Sequence, residues 1–157
     1  MTVTDTQAAA LALVTRDDLV RLTGELVAIP SFKGEETPLA HHVAEWCGSR
    51  GYEVELDEVE PGRLQVVATL KGSGGGKSLM FNGHLDTNSL TRGWQRDPFA
   101  SWVDGDKVYG HGAQNMKGGL ATFMVAAEAV RRSGATLAGD LVLAFVVGET
   151  QGGEGMN

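Results

Sequence analysis

The chain has 157 residues, 42% of them apolar and 21% charged, with a net charge of −7. That is enough for one domain with a real core, and the negative charge argues against nucleic acid or an anionic membrane as a partner. The single cysteine, Cys47, cannot form an internal disulfide, so nothing indicates an oxidising compartment.

The first dozen residues read as loose. Ala8–Val14 is far shorter than the ~20 residues of a membrane span. Asp5 precedes it and no basic leader does, so it does not read as a signal peptide. Residues 1–15 are expected to be a flexible N-terminus of a cytoplasmic protein. Thr15 then has the character of an N-cap, with Asp17 and Asp18 in the first turn. Leu19, Leu22, Leu26 and Ile29 follow at helical spacing, and Pro30 ends the helix. A second helix is expected over 35–50, with Pro38 in its first turn, Leu39, Val43 and Trp46 as the buried stripe, and Cys47 in the core.

Strands are predicted at 52–56, 64–70 and 78–83, and a hairpin at 100–109 turns at Asp104-Gly105-Asp106. The next helix runs from Met116 to Arg132, with Leu120, Phe123, Met124, Ala127 and Val130 on one face, and Gly134 stops it. Leu141–Val147 is a continuous apolar run, as in a strand buried on both faces. This order implies an α/β domain, a mixed sheet flanked by helices. The stretch Gly74-Gly75-Gly76-Lys77-Ser78 is similar to the end of a phosphate-binding loop, but Lys71 stands where the first glycine belongs and a strand follows instead of a helix.

Three polar clusters sit at the ends or starts of these elements. The first is His84 and Asp86. The second is Tyr109-Gly110-His111-Gly112-Ala113-Gln114-Asn115-Met116-Lys117-Gly118-Gly119. The third is Gly148-Glu149-Thr150-Gln151-Gly152-Gly153-Glu154-Gly155. A strand ending in His-x-Asp delivers an imidazole and a carboxylate to one face, donors that suit a divalent transition metal. Taken singly, each cluster has a plainer reading: a hydrogen-bonded histidine, a connector rich in glycine, a solvated loop acid. Together they suggest a metal hydrolase site.

Four ordered stretches resemble the metallopeptidase family M20, from about Arg16 to the last residue. They are Gly83-His84-Leu85-Asp86-Thr87; Gly93-Trp94 through Asp97-Pro98-Phe99; Tyr109-Gly110-His111-Gly112-Ala113 through Met116-Lys117-Gly118-Gly119; and Glu149 through Gly152-Gly153-x-Gly155. The resemblance implies residues 16–157 as the N-terminal part of a zinc-peptidase-like catalytic domain, with a second, smaller lid or dimerisation domain beyond Asn157. It implies a metal-dependent hydrolase of amide bonds that acts on N-acyl amino acids or small peptides and binds one or two Zn2+ or Co2+ per complete chain. A homodimer through the second domain follows from the same resemblance. His84 matches a metal ligand, Asp86 the acid that orients its ring, and Glu149 the general base.

Two positions depart from the pattern. Asn115 stands where the family has an aspartate bridging two metals, and Thr150 where it has a ligating glutamate; both are candidate metal positions without the charge. His111 stands where arginine is common; its alternatives are a substitute ligand and a solvent-facing or loop-bracing histidine, and the second is the preferred reading. The alternative is a non-catalytic binding protein or an inactive fragment on the same fold.

Overall fold

The computed structural model describes residues 4–151 and Gly155. In chain order these form α1 (Asp5–Ala12), α2 (Arg16–Val27), α3 (Thr37–Gly48), β1 (Glu53–Glu60), β2 (Arg63–Leu70), β3 (Leu79–His84), β4 (Trp102–Asp104), β5 (Lys107–Tyr109), α4 (Gly118–Arg132) and β6 (Leu141–Val146). The main sheet has the order β1-β2-β6-β3, and β4 and β5 form a separate hairpin. The pairs β1–β2 and β2–β6 are antiparallel, whereas β3 runs parallel to β6. The mixed sheet read from the sequence is therefore present.

Local chemistry sets the helix boundaries. The Thr15 hydroxyl accepts the amide hydrogen of Asp18 and starts α2, and Pro38 lies in the first turn of α3. The stretch expected to be loose contains α1. There the Thr4 hydroxyl accepts from the Gln7 amide while the Gln7 side chain takes the Thr4 amide. This reciprocal cap and an alanine-rich interior favour a helix, although no residue of α1 is buried. The long helix also differs from expectation. Its regular part begins at Gly118, and Ala113–Lys117 is a wide turn in which Asn115 and Met116 leave helical geometry and are joined by a cis peptide bond.

One face of the sheet carries the core. Val66 and Ala68 of β2 and Leu141, Leu143 and Phe145 of β6 point to the same side. There they meet Leu22 and Leu26 of α2, Leu39, Val43 and Trp46 of α3, and Leu120, Phe123 and Met124 of α4 in one cluster. Ala144 and Val146, of opposite parity, are buried but lie outside that cluster. Phe81 of β3 stacks on Phe123, ring centroids 5.9 Å apart. At the end of β3, Gly83 lets α4 approach: a Cβ there would lie 2.6 Å from Leu120 Cδ2. The two edges differ. β1 presents exposed Glu53, Glu55, Asp57 and Glu58, which blunt it, whereas β3 leaves Leu79 and Met80 more than half exposed.

A buried ion pair ties the start of α3 to the turn between β1 and β2. Arg63 reaches Glu36 through Nη2–Oε1 at 2.7 Å and Nε–Oε2 at 3.2 Å, and Glu36 is fully buried. Arg63 also donates to Glu60 at 2.6 Å. Glu36→Ala is expected to cost about 3–5 kcal/mol, because Arg63 keeps its charge in a site that then offers it fewer acceptors; chemical denaturation measures this. Cys47 is fully buried, and burial pushes its thiol up to about 12. A thiol reagent should therefore label it at neutral pH only as fast as the chain unfolds, which labelling rates with and without denaturant would check.

Candidate functional site

Parallel pairing sets the ends of β3 and β6 side by side. His84 is in register with Val146, and the Leu85 amide donates to the Val146 carbonyl at 2.8 Å. The chain leaving β3 thus carries His84 and Asp86 to the same sheet edge at which the chain leaving β6 turns through Gly148 into Glu149–Gln151. Ser31 holds this exit in place: its hydroxyl donates to the Leu85 carbonyl at 2.7 Å, and its carbonyl accepts from the Thr87 amide at 2.8 Å.

The two groups converge as the sequence suggested. His84 Nε2 lies 3.5 Å from Glu149 Oε2 and 3.0 Å from Asn115 Oδ1. Its Nδ1 lies 2.9 Å from the Asp86 carbonyl and 3.6 Å from the Asp86 carboxylate. Both acceptors behind Nδ1 require that nitrogen to carry a hydrogen. Nε2 is left facing two oxygens, an arrangement that calls for a proton or a cation between them. The Asp86 side chain raises the His84 imidazole to about 9, against the desolvation that opposes it, with a further contribution from Asn115.

Asp86 is fully buried. Burial pushes its carboxyl up, but hydrogen bonds from His84 and Thr150 outweigh it and hold the group well below the ordinary carboxylate range. Its Oδ1 accepts the Glu149 amide at 3.2 Å and its Oδ2 the Thr150 amide at 3.0 Å. The Thr150 hydroxyl donates to the same Oδ2. Thr150, which the sequence placed among the candidate metal positions, directs its hydroxyl to Asp86. Glu149 is half exposed on its other side. Gly152, Gly153 and Glu154 of the third cluster lie outside the described residues.

The second cluster is held from two directions. His111 is buried among Phe32, Phe99 and Trp94, ring centroids 5.6, 5.7 and 6.4 Å away. Its Nε2 meets the Asn88 carbonyl at 2.9 Å and its amide donates to the Pro98 carbonyl at 2.7 Å, so it braces the loop. Gly112 has φ +76° and approaches Thr87 so closely that a Cβ would lie 2.5 Å from its Cγ2. Sequence reasoning missed Lys117. It is fully buried, donates to the Ile29 carbonyl at 2.6 Å, and fastens the Asn115 turn to the end of α2. Burial pulls its amine down to about 8. A lone cation at the start of an apolar helix face was the available signal.

The donor chemistry fits one divalent cation: an imidazole nitrogen, an amide oxygen and a carboxylate oxygen face one another. Among the described residues no three His, Cys, Asp or Glu side chains are grouped to hold a metal ion. In the metal-free chain, the stability contributed by charged His84 is complete below its unfolded value near 6.5 and is lost as pH rises through about 9. Melting temperature should fall across that window, and the fall should shrink in Asp86→Asn.

The sequence model of peptidase family M20/M25/M40 matches residues 80–157. An N-formyl-4-amino-5-aminomethyl-2-methylpyrimidine deformylase of Halalkalibacterium halodurans is 33% identical over 151 residues, 89% of this chain and 34% of that protein. An acetylornithine deacetylase of Aliivibrio salmonicida is 41% identical over 87 residues, 55% of this chain and 22% of that protein. Human carnosine dipeptidase 1 superposes with a TM-score of 0.76 at 24% identity, over 96% of this chain and 35% of that structure, a likeness of fold. The chain thus spans about a third of the length of the deformylase.

Proposed function

The chain belongs to peptidase family M20/M25/M40, and we propose on that footing that it forms the water-activating part of a metal-dependent hydrolase of small acyl amides. The observation that carries this reading is the 3.5 Å approach of Glu149 Oε2 to His84 Nε2, with Asp86 buried behind the ring. The names of the two relatives describe removal of a formyl and an acetyl group, and the substrate class is correspondingly an N-acyl amino acid, a small peptide or a related N-acyl amine.

His84 would hold a divalent cation through Nε2, with Asn115 Oδ1 as a neutral second donor; Zn2+ and Co2+ suit a nitrogen and oxygen set. When bound, such an ion supplies Lewis acidity at the amide carbonyl and acidifies water. The remaining chemistry belongs to the chain. Asp86 fixes the ring of His84 and its tautomer through Nδ1. Glu149 takes a proton from water on its solvent-facing side as that water attacks the carbonyl carbon, and returns it to the departing amine nitrogen. Its half exposure leaves room for a substrate, whereas Asp86 is sealed and serves only to orient.

The neutral side chains at 115 and 150 favour one other reading, a binding protein that retains the fold without turnover. Assay of acyl-amine hydrolysis in the protein carrying this sequence, with Zn2+ or Co2+ supplied, separates the two. Glu149→Gln should lower kcat by about 10²–10⁴-fold and leave metal content unchanged. Equal turnover in the variant removes Glu149 from the mechanism, and no turnover in the unaltered protein removes the hydrolase reading.

A further inference from the structure

Asp86 is a saturated group. Its two oxygens take the Glu149 amide, the Thr150 amide and the Thr150 hydroxyl, and the His84 ring lies against it. It is fully buried and has no open side left with which to reach an ion. Asn115, the other group beside His84, brings no charge and already lies 3.0 Å from Nε2. The carboxylate oxygen facing His84 from outside this network is Oε2 of Glu149. Two cations brought close together repel strongly unless an anion lies between them, and beyond Glu149, which the proposed reaction uses as its base, the described residues place no further carboxylate there.

We infer that this site is built for a single cation, and that Thr150 serves in it as a positioning residue: its hydroxyl locks Asp86, and Asp86 in turn aims the His84 ring. The inference rests on the hydrolase reading of the site and deepens it. Threonine and asparagine here are not merely missing acids. Thr150 makes a hydrogen bond to the carboxylate that orients the ligand, which a second ion ligated there would have to break, and Asn115 offers a neutral oxygen beside the ligand where a bridge between two ions needs charge. Carboxylates at the same two positions would reverse the balance. One at 150 would repel Asp86 where the hydroxyl now donates to it, and one at 115 would present negative charge beside His84 Nε2, so the pair of acids needs a further cation that the present pair does not.

Calorimetric titration of the 157-residue chain with Zn2+, repeated with Co2+ to read its visible spectrum, tests this. One equivalent is expected for the unaltered chain. Thr150→Val should weaken that binding about 10-fold or more, as loss of a group that orients a ligand does, and should change the Co2+ spectrum; Thr150→Ser should retain both. The double variant Asn115→Asp, Thr150→Glu should take up a second equivalent. Melting curves without metal identify any variant that fails to fold, and Thr150→Ser together with the unaltered chain keeps the test decisive in that event. Two equivalents on the unaltered chain overturn the single-cation inference and leave the hydrolase reading intact. Undiminished affinity in folded Thr150→Val overturns the role of Thr150. No binding by the unaltered chain overturns the single-cation inference, while the hydrolase reading rests on the turnover assay.

Discussion

Parallel pairing of β3 with β6 is the constraint on which the site depends. An antiparallel pair would send the two strand exits to opposite edges of the sheet. Because these strands run the same way, His84 stands in register with Val146, and the next residues of each strand leave the sheet together. The rest of the fold supports that adjacency. β2 fixes β6 from its other side, Phe123 and Leu120 of α4 pack beneath the end of β3, and Ser31 grips the residues just after it. Burial of the apolar face then makes the register costly to change, since a slip by one residue would exchange the core face of β6 for the other.

Within the site, Asp86 is the hub. It sits where the chain leaving β3 meets the chain leaving β6 and takes donors from both, so its charge does structural as well as electrostatic work. Desolvating a carboxylate is unfavourable unless enough donors surround it, and here two backbone amides, a hydroxyl and an imidazole do so. The consequence is a division of labour between two acids of similar intrinsic chemistry. Asp86 is enclosed and fixed in its ionised form, whereas Glu149 keeps one side open to solvent.

Much of this was legible in the sequence because each signal was physical and local. The spacing of Leu22 and Leu26, the Thr15 cap, the alternation in β2 and the apolar run of β6 reflect burial and capping that any neighbouring structure has to respect. His84 and Glu149 could be paired because both lie at strand ends, and the resemblance to a known family supplied their order. What escaped was non-local or conformational. Glu36 and Arg63 are far apart in sequence, and nothing in either segment announces that the two charges are buried against each other. Lys117 lies between polar residues and glycines at a helix start, where a cation reads as a surface residue, yet it is enclosed and bound to the Ile29 carbonyl just past α2. The turn at Ala113–Lys117 follows from the demands of placing Asn115 beside His84, which helix propensity does not encode. α1 was missed because its alanines carry no amphipathic pattern; its cap alone marks it.

The span between the two halves of the site has a kinetic meaning. Glu149 and Asp86 are 63 positions apart, and their strands are parallel, so no hairpin can bring them together. Closing a loop of that size against chain entropy comes late in folding, and contacts of this kind are slow to form. The α3–β1–β2 portion can assemble from near neighbours, but the imidazole and its acidic partner meet only once the last strand slots between β2 and β3. A partly folded chain with most of its helices in place would have no such cluster at all, which makes the cluster at the sheet edge a reporter of whether the chain has completed its fold.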